Sequence, residues 1–387
     1  MAEPTRAPLI TTAFIALAAA DLAYFTAHGM AIFALPLYVV GPIAGDEAAA
    51  GIAFGAFAVS ALVLRPISGR LADRYGRRPL LVGGALLLAS TFALTAVAES
   101  LVAVIGLRLL AGVAEAAFFV ASFAALADIA PPERMGEALS YNSLGLYLGL
   151  AIGPPIGEVV FDAGGYTAVW IGAAVVAAVA ATTVLLVGET RTAAPTTEGP
   201  LRIIHRPAIP ASLGFLTSLI AMGGLLAFAS LHATRIGFET PSVILLVYGG
   251  TVVVCRLAFA RVPDRVPSLV LGTAAVTAIG IGAVIAAVWR QPVGFVVATV
   301  VMAIGVAFST PAFFSAIFAT ASPSERGIAS GTGSAAIDLG LGIGPILLGF
   351  VAAPLGIPWA FAAAAAIAWA GAAWTAGLAL RARATAA

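Results

Sequence analysis

Residues 65–74 read Arg-Pro-Ile-Ser-Gly-Arg-Leu-Ala-Asp-Arg. At an offset of 191, residues 256–265 read Arg-Leu-Ala-Phe-Ala-Arg-Val-Pro-Asp-Arg, keeping all three arginines and the aspartate. At the same offset residues 136–154 lie over 327–345 with nine identities in nineteen. These include Leu148-Gly149-Leu150 over Leu339-Gly340-Leu341 and Ile152-Gly153-Pro154 over Ile343-Gly344-Pro345. Small apolar residues match one another by chance, but chance does not align a charged block and a Gly-Pro block at one shared offset. The chain is one structural unit used twice.

The composition around these blocks says what kind of unit it is. Of 387 residues, 61% are hydrophobic and 10% charged, and the mean hydropathy is +1.07. Soluble proteins run at about 45–50% apolar and about 25% charged, so an ordinary soluble enzyme is excluded. Nineteen basic residues, all arginine, face eighteen acids for a net charge of +1, which leaves no electrostatic footprint for nucleic acid. The single Cys255 excludes an internal disulfide and a cysteine metal cluster.

Breaks in the apolar pattern near residues 41–50, 69–78, 99, 128–137, 162–165, 188–207, 234–241, 261–267, 290–292, 322–326 and 353–358 separate twelve stretches. A crossing helix needs about 20 apolar residues, and the short alternating segments of a barrel are absent. The pattern predicts an all-α membrane protein of twelve transmembrane helices in two pseudo-symmetric six-helix bundles. Six is even, so both copies enter the membrane in one orientation. The expected division is 1–187, a cytoplasmic linker 188–207, and 208–387. The first stretch, from about Leu9 to Val40, outruns the 7–15 residue core typical of a cleaved signal peptide. Fourteen arginines fall in segments on the side of the N-terminus, against Arg235 and Arg290 on the other, with Arg65, Arg108 and Arg256 in or beside spans. That bias predicts cytoplasmic termini. The Ala/Arg-rich, lysine-free composition suggests a GC-rich prokaryote and a plasma-membrane location.

Three motifs carry a family resemblance. Gly69-Arg-Leu-Ala-Asp73-Arg74-Tyr-Gly76-Arg77-Arg78-Pro-Leu is similar to the loop between spans 2 and 3 of the major facilitator superfamily. Arg108-x-x-x-Gly112 resembles its span-4 arginine motif, with Ala111 where the family has Gln. Gly149-x-x-x-Gly153-Pro154-x-x-Gly157 resembles the span-5 motif of its proton antiporters, with Glu158 in place of the final Gly. The resemblance implies the facilitator fold, alternating access around a cavity lined by spans 1, 4, 7 and 10, a gating role for the first motif, and export.

The residues also speak for themselves. Asp73 among Arg74, Arg77 and Arg78 can bind helix-end carbonyls, which are negative, with Asp128 as a partner; simple topological anchoring by the arginines is the alternative. Gly149, Gly153 and Gly157 recur every fourth residue, so a second helix can approach closely, and Pro154 permits a bend. Tight static packing and a dynamic role are both open.

An ionisable residue near mid-membrane costs about 2.5–3.5 kcal/mol and is a functional candidate by default. Asp21 shares a helical face with Phe25 and His28. Arg108 and Glu115 share one with Gly112, Phe119 and Ser122. Asp338 in span 11 stands opposite Tyr147 in the repeat. The expectation is that Asp21 or Glu115 carries a coupling proton with Arg108 tuning it; the alternative is a static buried ion pair joining spans 1 and 4. Tyr24, Phe25, Asn142 and Tyr147 are candidate cavity residues, and His28 a further proton group. Glu158 is expected near the outer end of span 5, within reach of water.

Nothing gathers His205 and His232 into a metal site, and neither a phosphate loop nor an ATP-binding domain is present. The reading is a monomeric secondary transporter, not an enzyme, with no cofactor and the proton gradient as its energy source. Its partners are a small-molecule substrate, protons and the bilayer. Proton-coupled efflux (antiport) of lipophilic or amphipathic molecules, as in multidrug resistance, is the leading expectation. Proton-coupled uptake of a sugar or organic acid by symport is the alternative. An intramembrane enzyme using Asp21 and Glu115 as paired carboxylates lacks any accompanying motif.

Overall fold

Three of the helix starts carry side chains suited to a helix start. Thr11, Asp46 and Ser100 accept from the backbone N–H of Phe14 at 3.2 Å, Ala49 at 2.8 Å and Ala103 at 3.2 Å, satisfying donors that a helix leaves open at its first turn. They begin α1 (Thr12–Val40), α2 (Glu47–Tyr75) and α4 (Leu101–Ile129), with α3 (Arg77–Thr95) between. The computed structural model describes residues 9–131, 134–191, 204–322 and 325–384, and all its regular elements are helices. The others are α5 (Met135–Val184), α6 (Ile209–Arg235), α7 (Val243–Ala258), the single turn α8 (Val262–Arg265), α9 (Ser268–Val288), α10 (Pro292–Phe318), α11 (Arg326–Leu355) and α12 (Ile357–Ala384).

Among the described residues ten helices are long and apolar enough to cross a membrane, and α7 is a shorter apolar one. One of the ten counts twice. Within α5 the backbone leaves helical geometry at Gly164 (φ −157°, ψ 16°) and Gly165 (φ 68°, ψ −165°). The second is a left-handed conformation that disfavours a Cβ. The chain therefore reverses there with almost no loop, and the break expected at 162–165 is a two-residue hinge. Twelve crossings result. The face where α1 begins and α12 ends is called proximal below, and the opposite face distal.

One expected loop is a correction. The break predicted at 69–78 is helical on both sides: α2 continues through Tyr75 and α3 starts at Arg77, with Gly76 alone between them at φ 102°. The residues Arg70, Asp73 and Arg74 that interrupt the apolar pattern lie on the proximal end of a helix that outruns the bilayer. A helix of 29 residues is about 44 Å long, against a hydrocarbon core of about 30 Å. Most of the expected linker, residues 192–203, and Arg6 lie outside the described residues.

Helices meet where the sequence has small residues. A Cβ on Gly29 of α1 would meet Gly149 O, Gly153 Cα and Pro154 Cδ of α5, each at 2.9 Å. In the second half a Cβ on Gly344 of α11 would meet Ile220 O of α6 at 2.7 Å. The repeated glycine blocks thus do one job twice, seating the fifth crossing of each bundle against its first. Between bundles, α2 lies along α11 and α5 along α7. The exterior is apolar, with Val63, Val102, Val159 and Leu186 among the exposed residues, as lipid requires.

Candidate functional site

Three-to-four-residue spacing on α1 and seven-residue spacing on α4 bring two polar faces together inside the first bundle. Ser122 Oγ lies 2.9 Å from each Asp21 carboxylate oxygen, and Asn142 of α5 stands against the same carboxylate. Among the described residues no cation pairs with Asp21. One turn on, the Tyr24 ring lies flat on Phe118 (3.8 Å, 1°). His28 Nε2 is 3.8 Å from Glu115 Oε2, with its Nδ1 3.4 Å from Tyr24 O. Phe25 meets Phe119 edge-on.

Much hydrogen-bonding capacity here is unused. Tyr24 Oη, His28 Nε2, Glu115 Oε2, Asn142 Oδ1 and both Nε and Nη1 of Arg108 are buried without a hydrogen-bond partner among the described residues. Each such group costs about 1–3 kcal/mol.

Arg108 shares the face of Glu115 without reaching it. Its guanidinium lies 5.0 Å from the centroid of Phe57 on α2, and it forms no ion pair with Glu115. Seven residues along a helix is about 10 Å, so residues two turns apart share a face without touching. Arg65 of α2 instead enters the layer of Glu115, its guanidinium over the ring of Phe119 at 4.4 Å. A static ion pair between α1 and α4 is likewise not built on Asp21; His28 with Glu115 is the pairing present.

Two candidates lie at the bundle interface. Arg65 Nη2 donates to Asp338 Oδ1 at 2.8 Å, and Arg256 Nη2 donates to the Tyr147 hydroxyl at 2.8 Å. Glu158 is a correction. It is 6% exposed, because its carboxylate accepts from Ser242 N–H at 3.1 Å across the interface instead of facing water. His232 is also buried, in the last turn of α6 against Phe295 and Phe361.

At the proximal face Arg77 gathers the first motif. Its Nη1 donates to Asp73 Oδ1 and to Ala72 O, both at 2.8 Å, and its Nε to Asp128 Oδ2 at 3.1 Å. Arg74 stacks over Tyr75, Arg78 follows in the first turn of α3, and Gly69 lies within α2, its nearest neighbour Val120. Three residues that sequence reasoning missed complete the assembly. Glu189 accepts from Arg77 N–H at 2.9 Å and Arg78 N–H at 3.2 Å, capping α3. Thr190 donates to Asp128 at 3.1 Å. Arg191 donates to the carbonyls of Asp73 at 2.9 Å and Arg74 at 2.7 Å. The available signal was a Glu-Thr-Arg run directly after an apolar stretch ending on the same face as the motif. Partial burial pushes the Glu189 carboxyl up, but the N–H donors of Arg191, Arg77, Arg78 and Thr190 outweigh it and hold the group below its ordinary value.

The span-5 glycines line α1: Gly149 against Phe25 and Thr26, Gly153 against Gly29, Gly157 against Met30.

Comparison with known proteins agrees with this architecture. Residues 17–317 match the profile of the Major Facilitator Superfamily. An uncharacterised MFS-type transporter of Salmonella typhimurium is 26% identical over 94% of this chain and 95% of its own. Multidrug resistance protein 1 of Bacillus subtilis is 27% identical over 63% of this chain and 62% of its own length. The multi-drug resistance efflux pump PmrA of Streptococcus pneumoniae is 34% identical over 35% of each. Among solved structures, a point mutant of the nucleoside transporter NupG superposes with a TM-score of 0.79 at 15% identity, covering 94% of this chain and 99% of that one. A bacterial homologue of the human lysosomal transporter Spinster, inward-facing and occupied, gives 0.78 at 15% identity over 97% and 98%. The profile covers most of the sequence and the fold agrees over nearly its whole length: the chain belongs to the Major Facilitator Superfamily and is a multi-pass membrane transporter of small molecules.

Proposed function

We propose that this transporter is a proton-coupled exporter of small lipophilic or amphipathic molecules, with Asp21 and Glu115 as the proton-carrying acids. The observation that carries the reading is the state of those two carboxylates. Both are buried inside the first bundle, Asp21 held by Ser122 without a cation and Glu115 with an oxygen lacking any hydrogen bond. A buried carboxylate not locked to an arginine accepts a proton at lower cost than one that is. Aromatic surfaces from Tyr24, Phe25, Phe57 and Phe119 adjoin the acids, a setting suited to amphipathic cargo. The names of two relatives, a multidrug resistance protein and an efflux pump, support export. In this reading the proximal face is cytoplasmic, following the arginine bias, the Asp73–Arg77–Asp128 assembly gates that face, and the chain works as a monomer in the cell membrane.

Everted vesicles test the direction. Substrate accumulation driven by an inside-acid gradient is expected, and its absence together with proton-driven uptake by intact cells would make the protein an importer. Asp21→Asn and Glu115→Gln test the acids: each is expected to abolish gradient-driven accumulation, and full proton-driven transport by both variants would remove them from the mechanism.

A further inference from the structure

The offset that relates the two halves maps Arg65 onto Arg256 and Tyr147 onto Asp338. The structure joins these four residues in two pairs, and each pair crosses the bundle interface. Arg65 of α2 binds Asp338 of α11, and Arg256 of α7 binds Tyr147 of α5, its guanidinium 4.2 Å over that ring. Each pair is the image of the other, yet their chemistry differs. One arginine ends on a carboxylate and the other on a phenol. Parting a buried ion pair strands two charges, while parting an arginine from a phenol strands one. The two bonds therefore do not resist opening equally.

Arg65 also has a second acid in view. Its guanidinium rests over Phe119, and Phe119 is one helical turn from Glu115 on α4. Among the described residues Asp338 has no second cation partner. Of the helices around it, α10 carries no ionisable side chain, α12 carries arginines only in its last turn, and α6 carries His232 and Arg235 only at its distal end. The groups acting on Glu115 are Tyr24 and His28 from α1, Arg65 from α2, Arg108 on its own helix and Asp338 across the interface; α3 brings arginines only in its first turn.

We propose that Arg65 is a positioning residue shared by two acids: Asp338 holds it while α2 and α11 are together, and Glu115 receives it when they part. The Arg256–Tyr147 pair is the neutral counterpart and sets no such preference. The significance for transport rests on the reading of Glu115 as a proton carrier; the hand-over itself does not.

Distances measured without substrate or gradient test it. Spin labels at Pro42→Cys and Leu355→Cys, exposed positions at the distal ends next to α2 and α11, report the interface in full-length protein in nanodiscs, with Cys255→Ser as background. Asp338→Asn and Arg65→Gln are each expected to raise the distally separated fraction by at least about tenfold, since each leaves a buried partner unpaired. Asp338→Glu and Arg65→Lys restore the parent distribution in large part, and Tyr147→Phe moves it less than about twofold, a neutral hydrogen bond being worth little net. Adding Glu115→Gln to Asp338→Asn returns the distribution toward the parent, because Arg65 then lacks its second holder. Unchanged distances in Asp338→Asn and Arg65→Gln, or a shift in Tyr147→Phe as large as theirs, would overturn the asymmetry. No response to Glu115→Gln would overturn the hand-over, even if that variant abolishes proton-driven transport; intact transport with the expected distances would instead sink the proton reading alone.

Discussion

At the scale of single residues, the proximal face is held by groups drawn from three parts of the chain. Glu189 supplies the side-chain cap that Gly76, at the start of α3, lacks. Its carboxyl is held below the ordinary value, so its contribution is present at neutral pH and is lost as pH falls through that lowered value. The melting temperature of the wild type should therefore drop on acidification through that window, and Glu189→Gln should flatten this part of the profile. At neutral pH the same variant should cost about 0.5–1 kcal/mol, the low end for a lost cap at an exposed site. Asp73→Ala removes one of the bonds that orient Arg77 but leaves those to Ala72 and Asp128. It should impair transport while expression and equilibrium substrate binding stay near wild type; loss of folding would instead assign these residues to anchoring. The motif itself was legible in the sequence because its residues are contiguous. Glu189 and Arg191 were not, because a capping carboxylate more than a hundred residues away leaves no local pattern.

At the scale of elements, small residues mark the tight seams. A Cβ on Gly149 would stand 2.8 Å from Phe25 Cβ and Thr26 N, with backbone on one side and no flexible tip to yield. Gly149→Ala should lower stability by about 1–3 kcal/mol, the range for overpacking, read as a fall in detergent melting temperature. Gly83 of α3 has nothing within 4 Å of its Cβ position. Gly83→Ala should be neutral or stabilising by up to about 1 kcal/mol through helix propensity. Both glycines read alike in the sequence except for the period of four around Gly149, and that period did identify the close-packed face. The period says that some helix approaches; that α1 is the partner, with Gly29 opposite Gly153, follows from how the helices cross.

At the scale of the whole molecule, the bundles are joined from the distal face to mid-depth. Gly51 and Gly55 of α2 are packed against Pro345 and Gly342 of α11, Glu47 pairs with Arg235 at the distal rim, and Arg65 with Asp338 lies deepest. These ion pairs should not weigh equally. The Arg235 side chain is 45% exposed, and an exposed pair is worth about 0–1 kcal/mol. In the same spin-label measurement Glu47→Gln should change the distally separated fraction by less than about fivefold and lose even that effect in high salt. A shift matching that of Asp338→Asn would mean the rim, not the core of the interface, sets the balance.

Twelve crossings, their pairing into two bundles and the blocks that repeat were readable from one dimension. Partition of apolar segments into lipid and the spacing of glycines and charges act along the chain. Most of the buried ionisable residues were readable for the same reason, since a charge inside an apolar run stands out wherever it points; Glu158 and His232, near the ends of their spans, were not. Which of them touch was decided only in three dimensions. Arg108 shares a face with Glu115 but turns to Phe57, while Arg65, which looked like the edge of a span, reaches Asp338 across 273 residues of sequence. Helix periodicity fixes a direction to within a face; the crossing of helices from opposite bundles, and the reach of a long guanidinium between them, choose the partner.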